Sequence, residues 1–297
     1  MEIRQLKTFL VTAQLLNFNR AAEILNYAQS TVSSQIRGLE QELGVPLFDR
    51  LGKRIALTEA GKKMVRYARK ITDMETETLA EVSEHLEPAG SISIRIPQSL
   101  GTHILPGVLN TFKKQYPRVN LNTDTCSYES LKQELRSGII DVAFLLLDEI
   151  NEPDLKSEVL GFVNLIFICA NDNPFAGQMD ISLKELSQQT LILPKYDCHY
   201  KVPFAQNLTE QNIKPLSILE INSIETIKAC VKLDVGVTII PEFAIQKDLS
   251  NGKYAQFQLK EGPMETAVLL LRHKNKWQSQ YLKTFIAEVR NHFSKHT

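Results

Sequence analysis

Apolar residues recur at helical spacing from the first turn of the chain: Ile3, Leu6, Phe9, Leu10 and Ala13, then Phe18, Ala21, Ala22 and Leu25. That pattern predicts two amphipathic helices. Asn17 stands where a helix N-cap belongs, and Asn26 where a helix ends in the left-handed conformation. The paired alanines leave room for a neighbouring helix to approach closely. In "AQSTVSSQIRGLEQELG" (28–44), Val32, Ile36, Leu39 and Leu43 predict a third buried stripe. The outer face of that third helix gathers Gln29, Ser30, Thr31, Ser33, Ser34 and Arg37 near its start, with no acid before Glu40.

Two short helices joined by a tight turn, the second polar on its outer face, form a helix-turn-helix pattern. Small hydroxyls let a helix sit deep in a major groove. Arginine can bridge guanine O6 and N7 or a phosphate, and glutamine can pair with adenine. The partial positive charge of a helix N-terminus suits backbone phosphates. Next, "GVPLFDRLGKRIALTEAG" (44–61) reads as a strand at 47–50, a turn at 51–53 and a strand at 54–57. Arg50, Lys53 and Arg54 crowd the hairpin tip, as a wing gripping the flanking backbone requires.

Thr58 then caps a helix predicted to run to about His85. Met64, Tyr67, Ile71, Met74, Thr78 and Val82 alternate threes and fours, a coiled-coil-like seam. Another copy of the chain is the simplest partner for that seam, and packing on its own C-terminal body is the alternative. "EPAGS" (87–91) marks a boundary. Beyond it, strands alternate with helices. "SISIRI", "VNLNTDTC" and "IDVAFLLL" are strands around the helices "HILPGVLNTFKKQYP" and "YESLKQELRSG". The later strands are "NLIFICA", "TLILP", "LSILEI", "GVTIIP" and "ETAVLLLR", with helices at "SLKELSQQ", "KVPFAQNLTEQNI", "SIETIKACVKLD" and "KWQSQYLKTFIAEVRNHF". The repeated βαβ order predicts doubly wound parallel sheets in two lobes, with crossovers near Val163–Ile168 and Gly262–Ala267.

Ligands in such sheets bind beyond the carboxyl ends of strands, where helix N-termini offer free N–H groups. That rule selects Gln98 and Ser99, Thr125 with Cys126 and Ser127, the loop Tyr196–Tyr200 with Tyr196, Cys198 and His199, and Asn222 with Ser223. Together these positions suit a small anion or polar metabolite, although each one alone also suits helix capping. Lys195, His199 and Lys201 add positive charge nearby.

The 297 residues carry zero formal net charge, unevenly spread. Residues 1–70 hold 12 Lys and Arg against 6 Asp and Glu, and the remainder 22 against 28. The basic end therefore suits a polyanion and the body does not. No apolar run is long enough to span a membrane, and the N-terminus does not read as an export signal. The four cysteines lack metal-ligand spacing, which fits a reducing cytoplasm. No P-loop, GxGxxG after a strand, HExxH or GxSxG appears, so neither an enzyme nor a metal or cofactor site is expected. A free-standing solute-binding protein would explain the body but not the basic front end.

From Met1 to about Gly61 the chain resembles the winged helix-turn-helix of LysR-type transcriptional regulators. The stretch "LKTFLVTAQLLNFNRAAEILNYAQSTVSSQIRGLEQELGVPLFDR" followed by "ALTEAG" carries that resemblance. It departs at Ser30, where many members carry proline, a position at which the hydroxyl can serve as an N-cap. "SGIIDVAF" and "DVGVTIIP" extend the likeness to the body, with Asp234 standing where a small residue is common. The resemblance implies an N-terminal all-α winged helix-turn-helix plus a long linker helix, then an α/β two-lobed, periplasmic-binding-protein-like effector domain. The expected divisions are 1–58 for DNA binding, 59–89 for the dimer linker and 90–297 for the effector domain. Within the last, lobe I takes 90–164 and 267–297, and lobe II takes 165–266. The implied partners are double-stranded DNA, a small-molecule co-inducer, RNA polymerase and further copies of the chain in a homodimer or homotetramer. Redox-sensing members place a peroxidatic cysteine near Cys198 with a resolving cysteine downstream, yet residues 199–229 contain no cysteine.

Overall fold

The computed structural model describes residues 1–51, 54–82, 88–125, 128–195 and 200–296. Lys53, Cys126, Ser127, Tyr196, Cys198 and His199 therefore lie outside the described residues, as do the side chains of Arg50 and Arg54.

The front end folds as α1 (Ile3–Leu15), α2 (Phe18–Leu25), α3 (Gln29–Leu43), a hairpin of β1 (Phe48–Leu51) and β2 (Arg54–Leu57), and the long α4 (Glu59–Val82). Asn17 caps α2 by accepting the Arg20 N–H at 3.1 Å, and Asn26 closes it at φ 53°. Leu6, Phe9, Ala21, Val32, Ile36 and Leu39 form one buried cluster with Phe48, Met64, Val65 and Ala68. Full burial of each large member contributes about 1.5–3 kcal/mol. Leu43 departs from the expected stripe: it is the last residue of α3, before the left-handed Gly44, and is 39% exposed. Ser30 is not the N-cap either. Ala28 occupies that position without a side-chain bond, and Ser30 is already the second helical residue.

Thr58 caps α4 by accepting the Gly61 N–H at 2.9 Å. A Cβ on Gly61 would fall 2.1 Å from the Leu47 carbonyl oxygen, so glycine alone permits this approach of linker to wing. The expected seam divides in two. Met64 and Ile71 pack into the front-end core, whereas Tyr67, Met74, Thr78 and Val82 are exposed. Helix α4 also rests on the body. The Arg69 guanidinium lies 3.6 Å from the Asp141 carboxylate, and the Tyr281 hydroxyl donates to Asp73 Oδ1 at 3.0 Å. Asp141 is buried, paired with Lys276 at 2.5 Å and accepting the Ser93 N–H at 2.7 Å.

The body contains β3 (Gly90–Arg95), α5 (Gln98–Gln115), β4 (Val119–Asp124), α6 (Tyr128–Ser137), β5 (Val142–Leu146) and β6 (Leu155–Cys169). It continues with β7 (Thr190–Pro194), α7 (Lys201–Glu210), β8 (Ser217–Ile221), α8 (Ile224–Lys232), β9 (Thr238–Pro241), α9 (Gln246–Ser250), β10 (Ala255–Phe257), β11 (Met264–His273) and α10 (Gln280–His296). In the first lobe β3 runs parallel to β4 and β5, but β11 runs antiparallel to β5 and β6. In the second, β9 and β10 run antiparallel to the end of β6, from Leu165 onward. The parallel pair β7–β8 joins β9 through bonds between Val237 and both Thr190 and Ile192. The sheets are therefore mixed rather than wholly parallel. The reason is the long crossover β6, which starts at Leu155, nine residues before the expected "NLIFICA" and serves both lobes.

The segment "SLKELSQQ" forms a 3-10 helix over Leu183–Gln188. Asp234 adopts φ 53°, the left-handed conformation that glycine usually supplies, with its carboxylate accepting from Asn173 Nδ2 at 2.6 Å. Among the described residues no helix is long and apolar enough to cross a membrane.

Candidate nucleic-acid interface and ligand cleft

The buried face of α3 fixes what its other face presents. Val32, Ile36 and Leu39 point into the core, so Gln29, Ser30, Thr31, Ser34 and Arg37 are exposed and Ser33 is half-buried. Gln29 Nε2 donates to Ser33 Oγ at 2.9 Å, which holds two of these polar groups in one arrangement. The first turn of α3 carries no acid, leaving the helix's partial positive end uncompensated. The backbones of Arg50 and Arg54 flank the hairpin turn, with Leu51 paired to Arg54.

Two supporting contacts escaped sequence reasoning. Thr8 Oγ1, fully buried on α1, donates to Gln35 Oε1 at 2.6 Å and sets the rotation of α3 against α1. Glu40 Oε1 accepts the N–H groups of Leu47 and Phe48 at 2.8 and 3.2 Å, so it ties the wing to the outer helix. A buried hydroxyl at helical spacing was the visible hint of the first. The second pairs residues on different elements and leaves no local pattern.

The structure brings part of the expected ligand set together. Gln98 opens α5 in one lobe, and its Oε1 accepts the N–H of Ile224, which opens α8 in the other, at 3.0 Å. Two helix N-termini thus meet across the cleft within the reach of one side chain. Their combined partial charge favours an anion or a carbonyl oxygen between them. Ser99, next along α5, is buried, while Asn222 is exposed. Ser223 Oγ caps α8, accepting from the Thr226 N–H at 3.4 Å. Thr125 follows β4 and is exposed; its N–H donates to Asp124 Oδ1 at 2.8 Å. Lys201 is committed to the Glu220 carboxylate at 2.8 Å and to the Lys195 carbonyl oxygen at 3.0 Å, so it brings little free charge to the cleft. The Gln98–Ile224 contact had no sequence signal, because it joins residues 126 apart.

Cys169 is buried beside Asp234, and its thiol is pushed up to about 11, chiefly by burial. That suppresses the reactive thiolate. Among the described residues no group of three or more His, Cys, Asp or Glu side chains is placed to hold a metal ion.

The comparisons agree with this architecture. Residues 3–62 match the bacterial regulatory helix-turn-helix protein model of the lysR family, and residues 85–294 match the LysR substrate binding domain. The chain is 39% identical over 295 residues to the uncharacterized HTH-type transcriptional regulator YwqM of Bacillus subtilis (strain 168), covering 99% of this chain and all of that one. It is 27% identical over 293 residues to the HTH-type transcriptional regulator GltR of the same organism, covering 99% and 97%. Among solved structures, ArgP from Mycobacterium tuberculosis superposes with a TM-score of 0.75 at 20% identity, covering 98% of this chain and 96% of that one. Full-length LysG from Corynebacterium glutamicum with bound effector Arg gives 0.67 at 20% identity, covering 99% of both chains. From its first helix to the last helix of its two-lobed body, the chain belongs to the LysR family of bacterial helix-turn-helix transcriptional regulators.

Proposed function

We propose that the α3 residues Gln29, Ser30, Thr31, Ser33, Ser34 and Arg37 read base edges in the major groove, while Arg50, Lys53 and Arg54 of the wing hold adjacent phosphates. The division into DNA-binding (1–58), linker (59–89) and effector (90–297) segments serves this arrangement. The stripe of α4 left exposed at Tyr67, Met74 and Val82 takes the same stripe of a second copy, giving a dimer with two recognition helices. Such a dimer engages half-sites one helical turn, about 34 Å, or a multiple of it apart. Tetramer assembly and contact with RNA polymerase follow from the family role, and the cytoplasm is the compartment in which that role is exercised.

The effector is a small carboxylate-bearing metabolite held between the lobes by Gln98, Ser99, Thr125, Asn222 and Ser223. Ser127, Tyr196, Cys198 and His199 complete the set by their places in sequence. The observation that carries this reading is the meeting of the α5 and α8 N-termini through Gln98 and Ile224. A carboxylate entering there replaces the Gln98 oxygen as acceptor and changes how the lobes close, which alters the spacing of the bound half-sites. The relative LysG, whose structure holds Arg as effector, supports an amino-acid-sized ligand. A thermal-shift screen of the full-length protein against carboxylate metabolites tests it. One class should raise the melting temperature with saturation, and Ser99→Ala and Ser127→Ala should weaken that rise while leaving DNA binding intact. Unchanged shifts in both variants would remove the cleft assignment. No observation favours redox sensing through Cys198.

A further inference from the structure

Where α4 lies against the body, a cavity of about 240 Å³ remains between them. Arg66, Tyr67 and Lys70 form its linker wall, Lys276 and Trp277 its body wall, and Asp73 closes it on the α4 side. The charges around it do not balance. Asp141, behind the cavity, is paired with both Lys276 and Arg69. Among the described residues no carboxylate lies within ion-pair distance of Arg66 or Lys70, so two cations stand against Asp73 alone.

Arg66 is also held in place. The Arg66 guanidinium carbon sits 5.3 Å from the centre of the Tyr67 ring. A Cβ on Gly138, whose φ is +74°, would meet Arg66 Cα and Cβ at 3.3 Å, so the Arg66 stem is pinned against the body. A pre-organised guanidinium costs a ligand little ordering.

We propose that this cavity is a binding site for a small anion, a phosphate or carboxylate group borne on no more than one aromatic ring, separate from the cleft between the lobes. A guanidinium offers two parallel N–H donors to either oxyanion, and Lys70 adds a point charge from the same wall. Trp277 supplies flat apolar surface for a ring. The volume falls below the range of about 300–1,000 Å³ usual for drug-sized ligands, which limits the occupant to this size. An anion held by Arg66 and Lys70, its ring against Trp277, ties the helix leading from the DNA-binding domain to the effector body. The site therefore acts on the joint through which a signal from the body must pass.

Trp277 is the chain's single tryptophan and reports on the cavity directly. The full-length protein is titrated with inorganic phosphate and with phenyl phosphate, sodium chloride holding the ionic strength constant. Both anions should give a saturable change in tryptophan emission, with phenyl phosphate the tighter. The double variant Arg66→Gln/Lys70→Gln should weaken both by about tenfold or more, and Lys184→Gln, an exposed lysine in the other lobe, should change neither. Equilibrium dialysis of labelled phosphate, independent of the fluorophore, should find one such site per chain. Should the double variant fail to fold, Lys70→Gln alone, at an exposed position, should still weaken binding by about threefold or more. A response no different from chloride, or wild-type affinity in a folded Arg66/Lys70 variant, overturns the proposal. So does loss of binding in Gln98→Ala alone, which would move the anion to the cleft.

Discussion

Asp73→Asn should make this protein more stable at neutral pH and leave it unchanged in acid. Asp73 projects from α4 into the contact with the body, where it accepts the Tyr281 hydroxyl at 3.0 Å. Burial and the neighbouring Asp141 carboxylate push its pKa from 3.8 up to about 6, against the opposing pull of Lys276, the Tyr281 bond and Arg69. A carboxyl raised in the folded state contributes stability that is fully present below 3.8 and is lost as pH rises through about 6. That interval corresponds to about 3 kcal/mol at about 1.36 kcal/mol per tenfold step. Asparagine keeps an oxygen for the Tyr281 hydroxyl and never ionises. Allowing for relaxation around the charge, the variant should gain about 1–3 kcal/mol at pH 7.5 and close to none at pH 4. Paired urea melts of wild type and variant at several pH values read this difference. A variant less stable than wild type at pH 7.5, or a gain that does not vary with pH, would refute the reasoning.

Other substitutions probe the remaining joints. Asp141→Ala leaves Lys276 and Arg69 without their shared buried partner and should cost about 3–5 kcal/mol in the same urea assay. Glu40→Ala abandons the Leu47 and Phe48 N–H groups and should lower front-end stability by about 1–3 kcal/mol, seen as faster amide exchange at those two positions. Arg37→Ala should weaken binding to a selected DNA site by about 1–3 kcal/mol, and a footprint retained at unchanged protein concentration would count against the α3 assignment.

Local chemistry made much of this molecule readable in advance. Asn17 and Asn26 bound α2 as their side chains and backbone preferences require, and β1 pairs with β2 with Leu51 opposite Arg54. What was not readable depends on residues far apart in the chain. The first half of β6 opens on the polar Lys156, Ser157 and Glu158 and leaves Val159 and Phe162 exposed, so it lacks the buried run that marks its second half. The antiparallel course of β11 shows only in its pairing with β5 and β6, far from it in sequence. Asp234 tolerates a glycine-like conformation because Asn173, 61 residues away, holds its carboxylate. Within the cleft, the strand-end rule selected Gln98 and Ser223, but the bond from Ile224 to Gln98 depends on two lobes closing together. The cluster of Arg69, Asp73, Asp141, Lys276 and Tyr281 assembles from α4, the residue before β5, the segment before α10 and the start of α10, and no motif announces it.

The central claim, that the hydroxyl-rich N-terminal half of α3 enters the major groove, is tested most directly by selecting duplexes from a random library with the full-length protein and measuring affinity for the winners across salt concentration. The account predicts near-palindromic sites with half-sites a helical turn or its multiple apart, and a log affinity that falls linearly with log salt. Binding that shows neither enrichment of any sequence nor dependence on salt would contradict it.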